Sequence, residues 1–188
     1  MPSRVVAFSG NTHRPSRTRS LVEAVAGELS RLRPVDLRHY DLVDAGPGIG
    51  AADRAALPLP AARIVEAIET ADALIVGSPI YNGSYAGLFK HVFDLVRPEA
   101  LAGKPVVLTA TGGGARHALA VEHGLRPLFA FFAAQAAGTA VYAGQDEIVD
   151  GRVTDATVRV RVAAAAAELD GLLDLARARR DRPAAAAR

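Results

Sequence analysis

The 188-residue chain has no cysteine. That absence excludes disulfides, thiolate metal sites and thiol redox chemistry, and it agrees with a cytoplasmic location. Tryptophan is also missing, methionine occurs once, and only six phenylalanines and four tyrosines are present. No apolar run approaches the ~18 to 20 residues that a membrane span needs, so no membrane insertion is expected. The opening MPSRVVAFSG lacks a basic n-region and a long h-region, so no signal peptide is expected. No cluster of histidines and carboxylates has metal-ligand spacing, and no Ser-His-Asp arrangement can be read. The net charge is only +2, and part of the basic excess is local. The end of the chain, ARARRDRPAAAAR, carries five arginines against one aspartate. It reads as a fraying helix end and a disordered tail over 176–188. Basic residues are not interleaved with aromatics, so no nucleic-acid surface is expected.

What remains is an alternation of short apolar runs with helical periodicity. Val5 to Ser9 reads as a strand buried on both faces. Thr18 to Leu32 follows as a helix, with Leu21, Val25, Leu29 and Leu32 on one face. Val35 to Leu42 alternates as an outer strand, and Ala45 to Pro60 has the composition of a loop. Pro60 to Thr70 is a helix, Ala73 to Gly77 a buried strand, and Ser84 to Val96 a helix with Leu88, Phe89, Val92, Phe93 and Val96 at spacings of three and four. Pro105 to Ala110 is another buried strand. Arg116 to Gln135 reads as a long helix, Thr139 to Ala143 as a last strand, and Thr154 to about Arg180 as a closing helix. Inside the long helix Pro127 would clash with the carbonyl of His123, which predicts a kink or π-type turn over 123–127.

Such alternation predicts an α/β fold of right-handed βαβ units. Five strands with five helices predict the flavodoxin-like order 2-1-3-4-5, helices on both faces, as one domain over 1–175. Ligands of such sheets bind beyond the carboxyl ends of the strands, where the winding reverses. The loops after the first, third and fourth strands should meet there. They are SGNTHRPSRT, SPIYNGSYAG and TGGGARH, the least ordinary stretches of the chain.

The first loop has one glycine, Gly10, and matches neither the Walker pattern nor G-x-G-x-x-G. It ends at a helix start, where free N–H groups and the dipole favour an anion. Ser16, Arg17 and Thr18 there suit a terminal phosphate monoester, although capping is the ordinary use of such hydroxyls. In the second loop, Asn82-Gly83 is a turn dipeptide, and Tyr81 and Tyr85 offer apolar walls to a flat ring. Lys90 and Asp94, four apart, read as an exposed ion pair. Three glycines in the third loop permit close backbone approach and positive φ. His117 and His123 read as ordinary helix-surface or core residues.

These segments resemble the NADPH-dependent FMN reductases of the flavodoxin-like fold. Within that family the chain is most similar to the reductase components of two-component alkanesulfonate and methanesulfonate monooxygenases. SGNTHRPSRTRSL, SPIYNGSYAGLFKHVFDL and ATGGGARHALAVEHGLRPLFAFF carry the resemblance. The chain departs from the family's looser G-S-x-R-x-x-S-x-N loop, with Asn11, His13 and Thr18 in place of Ser, Arg and Asn, while Ser16 is kept. The resemblance implies that Ser9, Ser16, Arg17 and Thr18 surround the FMN phosphate. It implies that Pro79, Ile80, Tyr81 and Asn82 line the isoalloxazine, and that Thr111, Gly112, Gly113 and Gly114 border the ring and ribityl chain. It further implies hydride transfer from NADPH, with NADH as the other candidate donor, straight to FMN without a catalytic side chain. A homodimer or homotetramer, a π-turn at a subunit interface and delivery of FMNH2 to a flavin-dependent monooxygenase complete the expectation. Two alternatives stay open at this level: an FMN-bound quinone or azo reductase, and a non-enzymatic flavodoxin-like electron carrier. A plain phosphate-ligand binding module is a further option.

Overall fold

A computed structural model describes residues 1–181. In chain order the elements are β1 (Ser3–Ser9), α1 (Arg17–Leu32), β2 (Val35–Asp41), α2 (Leu42–Ala45), α3 (Leu59–Thr70), β3 (Ala73–Tyr81), β4 (Ser84–Tyr85) and α4 (Gly87–Asp94). They continue with β5 (Pro105–Thr111), α5 (Arg126–Phe131), β6 (Gln135–Ala136), β7 (Val141–Ala143), β8 (Ile148–Val149), β9 (Arg152–Val153) and α6 (Ala156–Asp181). The main sheet runs β2-β1-β3-β5, with β6 and β7 both parallel to β5 in the last place and β4 antiparallel on the end of β3. This is the expected order, in a sheet of seven strands because one strand is split and a hairpin is added.

The strands are buried on both faces, so alternate residues feed two cores. Val5 and Ala7 of β1 pack with α1 and α6 through Leu21, Val25, Leu29, Val162 and Leu169. Val6 and Phe8 face α3, α4 and α5. Most of the scarce aromatics gather on that second face. Phe93 lies 4.9 Å, ring to ring, from both Phe89 and Phe129, with Phe8 at 6.1 Å.

Several expected boundaries differ, each for a physical reason. The third strand does not stop at Gly77. It runs on to Tyr81 because Asn82 and Gly83, at φ 50° and 84°, turn the chain back into β4. The following helix therefore starts at Gly87, and Leu88 is exposed while Phe89, Val92 and Phe93 are buried. Leu32, expected on the buried face of α1, is also exposed. The stretch read as a loop over 45–60 holds two short 3-10 turns, Pro47–Gly50 and Arg54–Ala56, and buries Ile49. Glu69, its side chain only 2% exposed, ties this stretch down through Arg54 and also binds Arg97.

The long helix expected over 116–135 is broken into a 3-10 turn (Ala115–His117), a π-turn (Val121–Leu125) and α5. The π-turn lies where Pro127 predicted an irregularity. Pro127 has no N–H to donate and sits in the first turn of α5, where none is needed. The domain boundary expected at residue 175 falls inside α6, which continues to Asp181, and residues 182–188 of the expected tail lie outside the described residues. Among the described residues no helix is long and apolar enough to cross a membrane.

Candidate functional site

The ends of β1, β3 and β5 converge on a cavity of about 330 Å³. The first loop contributes Asn11, His13, Pro15, Ser16, Arg17 and Thr18; β3 contributes Pro79, Ile80 and Tyr81; the third loop contributes Thr111, Gly112 and Gly113. Nine of the twelve residues expected at the site line it. Ser9, Asn82 and Gly114 do not, and each has another task. Ser9 is buried and donates its hydroxyl to Asn11 Oδ1 at 2.7 Å. Asn82 occupies the left-handed position of the β3–β4 turn. The carbonyl of Gly114 accepts a hydrogen bond from the Tyr142 hydroxyl at 2.7 Å.

The start of α1 forms one wall. Ser16 is its N-cap, in extended backbone, and its Oγ accepts from the N–H of Arg19 at 3.3 Å. The first-turn N–H groups of Arg17 and Thr18 have no acceptor within the helix. The Thr18 hydroxyl is joined to that of Thr111 at 2.6 Å in a buried contact, which staples the end of β5 to the start of α1. Gly10 brings this loop against α4, since a Cβ there would stand 2.7 Å from Phe89 Cβ.

The three arginines of the loop have unequal surroundings. Arg14 grips Asp41 with two bonds, at 2.7 and 2.8 Å, and reaches Asp44 at 2.6 Å. Arg19 binds Asp41 at 2.9 Å and Glu23 at 2.7 Å. Arg17 has no carboxylate partner among the described residues and touches only the carbonyl of Gln145 at 3.4 Å. Asp41, at the end of β2, also accepts from the Asn11 amide at 3.1 Å. Burial pushes its carboxyl up, but the bonds from Arg14, Arg19 and Asn11 outweigh that and hold it at about 2. Asp41 escaped the sequence analysis, and Asn11 entered it only as a departure from the family's loop. A lone Asp closing an outer strand carries no local signal, because its partners lie 22 to 30 residues away in sequence.

The opposite wall is the end of β3. Ser78 is fully buried, accepts from the N–H of Ala86 at 2.9 Å and so fixes the base of the β3–β4 hairpin. Pro79 and Ile80 are buried, while Tyr81, 55% exposed, stands at the rim as an apolar wall. In the third loop none of the three glycines adopts a left-handed φ, contrary to expectation. Gly112 is needed for space instead: a Cβ there would lie 2.5 Å from the Tyr142 hydroxyl. A Cβ added at Gly113 would meet nothing within 4 Å, and Gly113 presents bare backbone to the cavity. Tyr142, held above its usual range by burial, is a second supporting residue that the sequence did not reveal. The expected pair Lys90–Asp94 is present on the exposed face of α4, away from the site.

Residues 3–147 match the NADPH-dependent FMN reductase family, a span that includes all three loops. The chain belongs to that family. An NADH-dependent FMN reductase, SfnF, of Pseudomonas fluorescens is 46% identical over 88% of this chain and 89% of its own length. An NADPH-using FMN reductase of Pseudomonas aeruginosa is 44% identical over the same shares. Among solved structures, the apo form of the NADH:FMN oxidoreductase EMOB superposes with a TM-score of 0.73 at 30% identity, covering 94% of this chain and 89% of that one. As a member of an FMN reductase family the chain is an oxidoreductase, so the carrier reading is set aside. Relatives of nearly equal identity are named for NADH and for NADPH, so overall similarity does not select the donor.

Proposed function

We propose that the chain reduces FMN with NAD(P)H in the cavity between β1, β3 and β5, and that the reduced flavin leaves for a partner flavin-dependent monooxygenase. One observation carries the placement. The cavity opens on a helix start where a capping serine, free N–H groups and the loop's one arginine without a carboxylate partner among the described residues lie together. Those donors suit a phosphate monoester. The cavity lies in the size range of small-molecule sites, roughly 300 to 1,000 Å³.

Each wall has a role in this reading. Ser16, Arg17 and the first-turn N–H groups hold the phosphate. Thr18, bonded to Thr111, sets the spacing of the phosphate wall from the third loop. Pro79, Ile80 and Tyr81 flank the flat ring, and Gly112 and Gly113 let it approach the backbone. Bound FMN supplies a hydride acceptor, so no acid or base side chain is needed. NADPH or NADH donates the hydride. Because it draws on nicotinamide nucleotides, we place the enzyme in the cytoplasm. Assembly as a homodimer or homotetramer follows from the resemblance in the loops.

The test is steady-state oxidation of NADPH and of NADH with and without added FMN. Turnover should require free FMN. A rate unchanged by added FMN means a permanently bound flavin and rules out release to a partner. Quinone turnover faster than FMN turnover would favour the quinone or azo reductase instead.

A further inference from the structure

Asp41 lies outside the cavity, yet it pairs with two of the three arginines beside it. Three guanidiniums, those of Arg14, Arg17 and Arg19, leave the short segment 14–19. Here two are turned away. The Asp41 side chain is 0% exposed, and it holds Arg14 in a two-bond fork and Arg19 through a third bond. Asp44 accepts a further bond from Arg14 Nη2, and Glu23 one from Arg19 Nε. Asn11, which lines the cavity, bonds to Asp41 as well, so the carboxylate is one side chain removed from the cavity wall.

We infer that Asp41 sets the affinity of the site for phosphorylated flavin by withdrawing Arg14 and Arg19 and leaving Arg17 as the one uncompensated guanidinium. This rests on the phosphate placement proposed above. It makes Asp41 a positioning residue, acting through its arginines. A phosphate dianion held by one arginine, hydroxyls and a helix start exchanges more readily than one ringed by three arginines. An enzyme that must release its flavin needs that weaker grip.

Asp41→Asn is nearly isosteric. Its Oδ1 can still accept from the N–H of Val43 and cap α2, as Asp41 Oδ1 does at 2.9 Å. Its amide nitrogen would replace Oδ2, the atom that faces Arg14, Arg19 and Asn11. Donor would then face donor at that atom: Arg19 Nη1 and Arg14 Nε lose their acceptor, while Arg14 Nη2 keeps Oδ1 and Asp44, so both guanidiniums are loosened and one negative charge is gone. Removing one negative charge near a phosphate dianion should tighten FMN about tenfold, with uncharged riboflavin staying within about twofold. Arg14→Gln removes a half-exposed cation and leaves Asp41 less compensated. It should weaken FMN about tenfold, again with little change for riboflavin.

The experiment measures the dissociation constants of FMN and riboflavin for wild type, Asp41→Asn, Arg14→Gln and Arg17→Ala by quenching of flavin fluorescence. The expected result is a split: the FMN-to-riboflavin preference rises in Asp41→Asn and falls in Arg14→Gln. If Asp41 merely braces the loop, both variants loosen it and weaken FMN together, which overturns the inference. A riboflavin affinity that moves in step with FMN overturns it too. Should Asp41→Asn not fold, Asp41→Ser, which keeps a short acceptor for the α2 cap, takes its place with the same expected rise in the FMN-to-riboflavin preference, and a fall or no change overturns the inference. Arg17→Ala separates the two levels: if it leaves the preference unchanged, the phosphate placement itself fails. If it lowers the preference while the other variants do not split, only the role of Asp41 fails.

Discussion

At the scale of single residues, the site depends on close contacts that small side chains permit. Gly112 is the sharpest case. An added Cβ would meet the Tyr142 hydroxyl at 2.5 Å, and the ring could escape only by breaking its bond to the Gly114 carbonyl. Gly112→Ala is therefore expected to cost about 1 to 3 kcal/mol, as overpacking does. Denaturant unfolding of Gly112→Ala, Tyr142→Phe and the double variant checks the cause. Loss of the hydroxyl should make the Gly112 change milder, so the two effects should not add. Additive losses would place the strain elsewhere. The three adjacent glycines were legible in sequence as a point of close approach. Their actual use was not, because the atom that needs the space belongs to a strand 30 residues further on.

At the scale of elements, buried carboxylates tie segments together and set the response to acid. Glu69 at the end of α3 binds Arg54 and Arg97, and Asp41 at the end of β2 binds Arg14 and Arg19. Burial raises both carboxyls, but the arginine bonds outweigh it and hold each at about 2. Their ordinary values lie near ~4. A carboxyl depressed in the folded state contributes stability above its unfolded value and loses it as pH falls through the folded one. The chain should thus lose stability steadily from about pH 4 to about pH 2. In Glu69→Gln, chemical denaturation should show a lower plateau near neutrality and a shallower fall in that window. An unchanged acid limb would remove Glu69 from the account. Helices and strands of the core were readable from periodicity. The split of 116–135 was only half readable: Pro127 announced a distortion, but where the chain breaks depends on packing of Val121, Leu125 and Phe129 in the core.

At the scale of the whole molecule, one sheet edge gathers three distant loops, and charge there is rationed. With one uncompensated guanidinium at the cradle, FMN binding should weaken as salt rises, while riboflavin binding should stay flat. Titrations at low and high ionic strength read this directly. Equal salt response of both flavins would mean that phosphate is not held where Arg17 and the α1 start lie.

The sequence alone determined the α/β class, the order of the sheet, the identity of the three loops and the family. Those properties follow from local periodicity and from motifs that are contiguous in the chain. Tertiary structure decided which arginine faces the cavity, why Gly112 must be glycine, and where β3 and the 116–135 helix end. Each of these rests on partners far apart in sequence, where one buried carboxylate or one tyrosine hydroxyl arbitrates. Arg14, Arg17 and Arg19 look alike as letters, and only the fold brings Asp41 beside two of them.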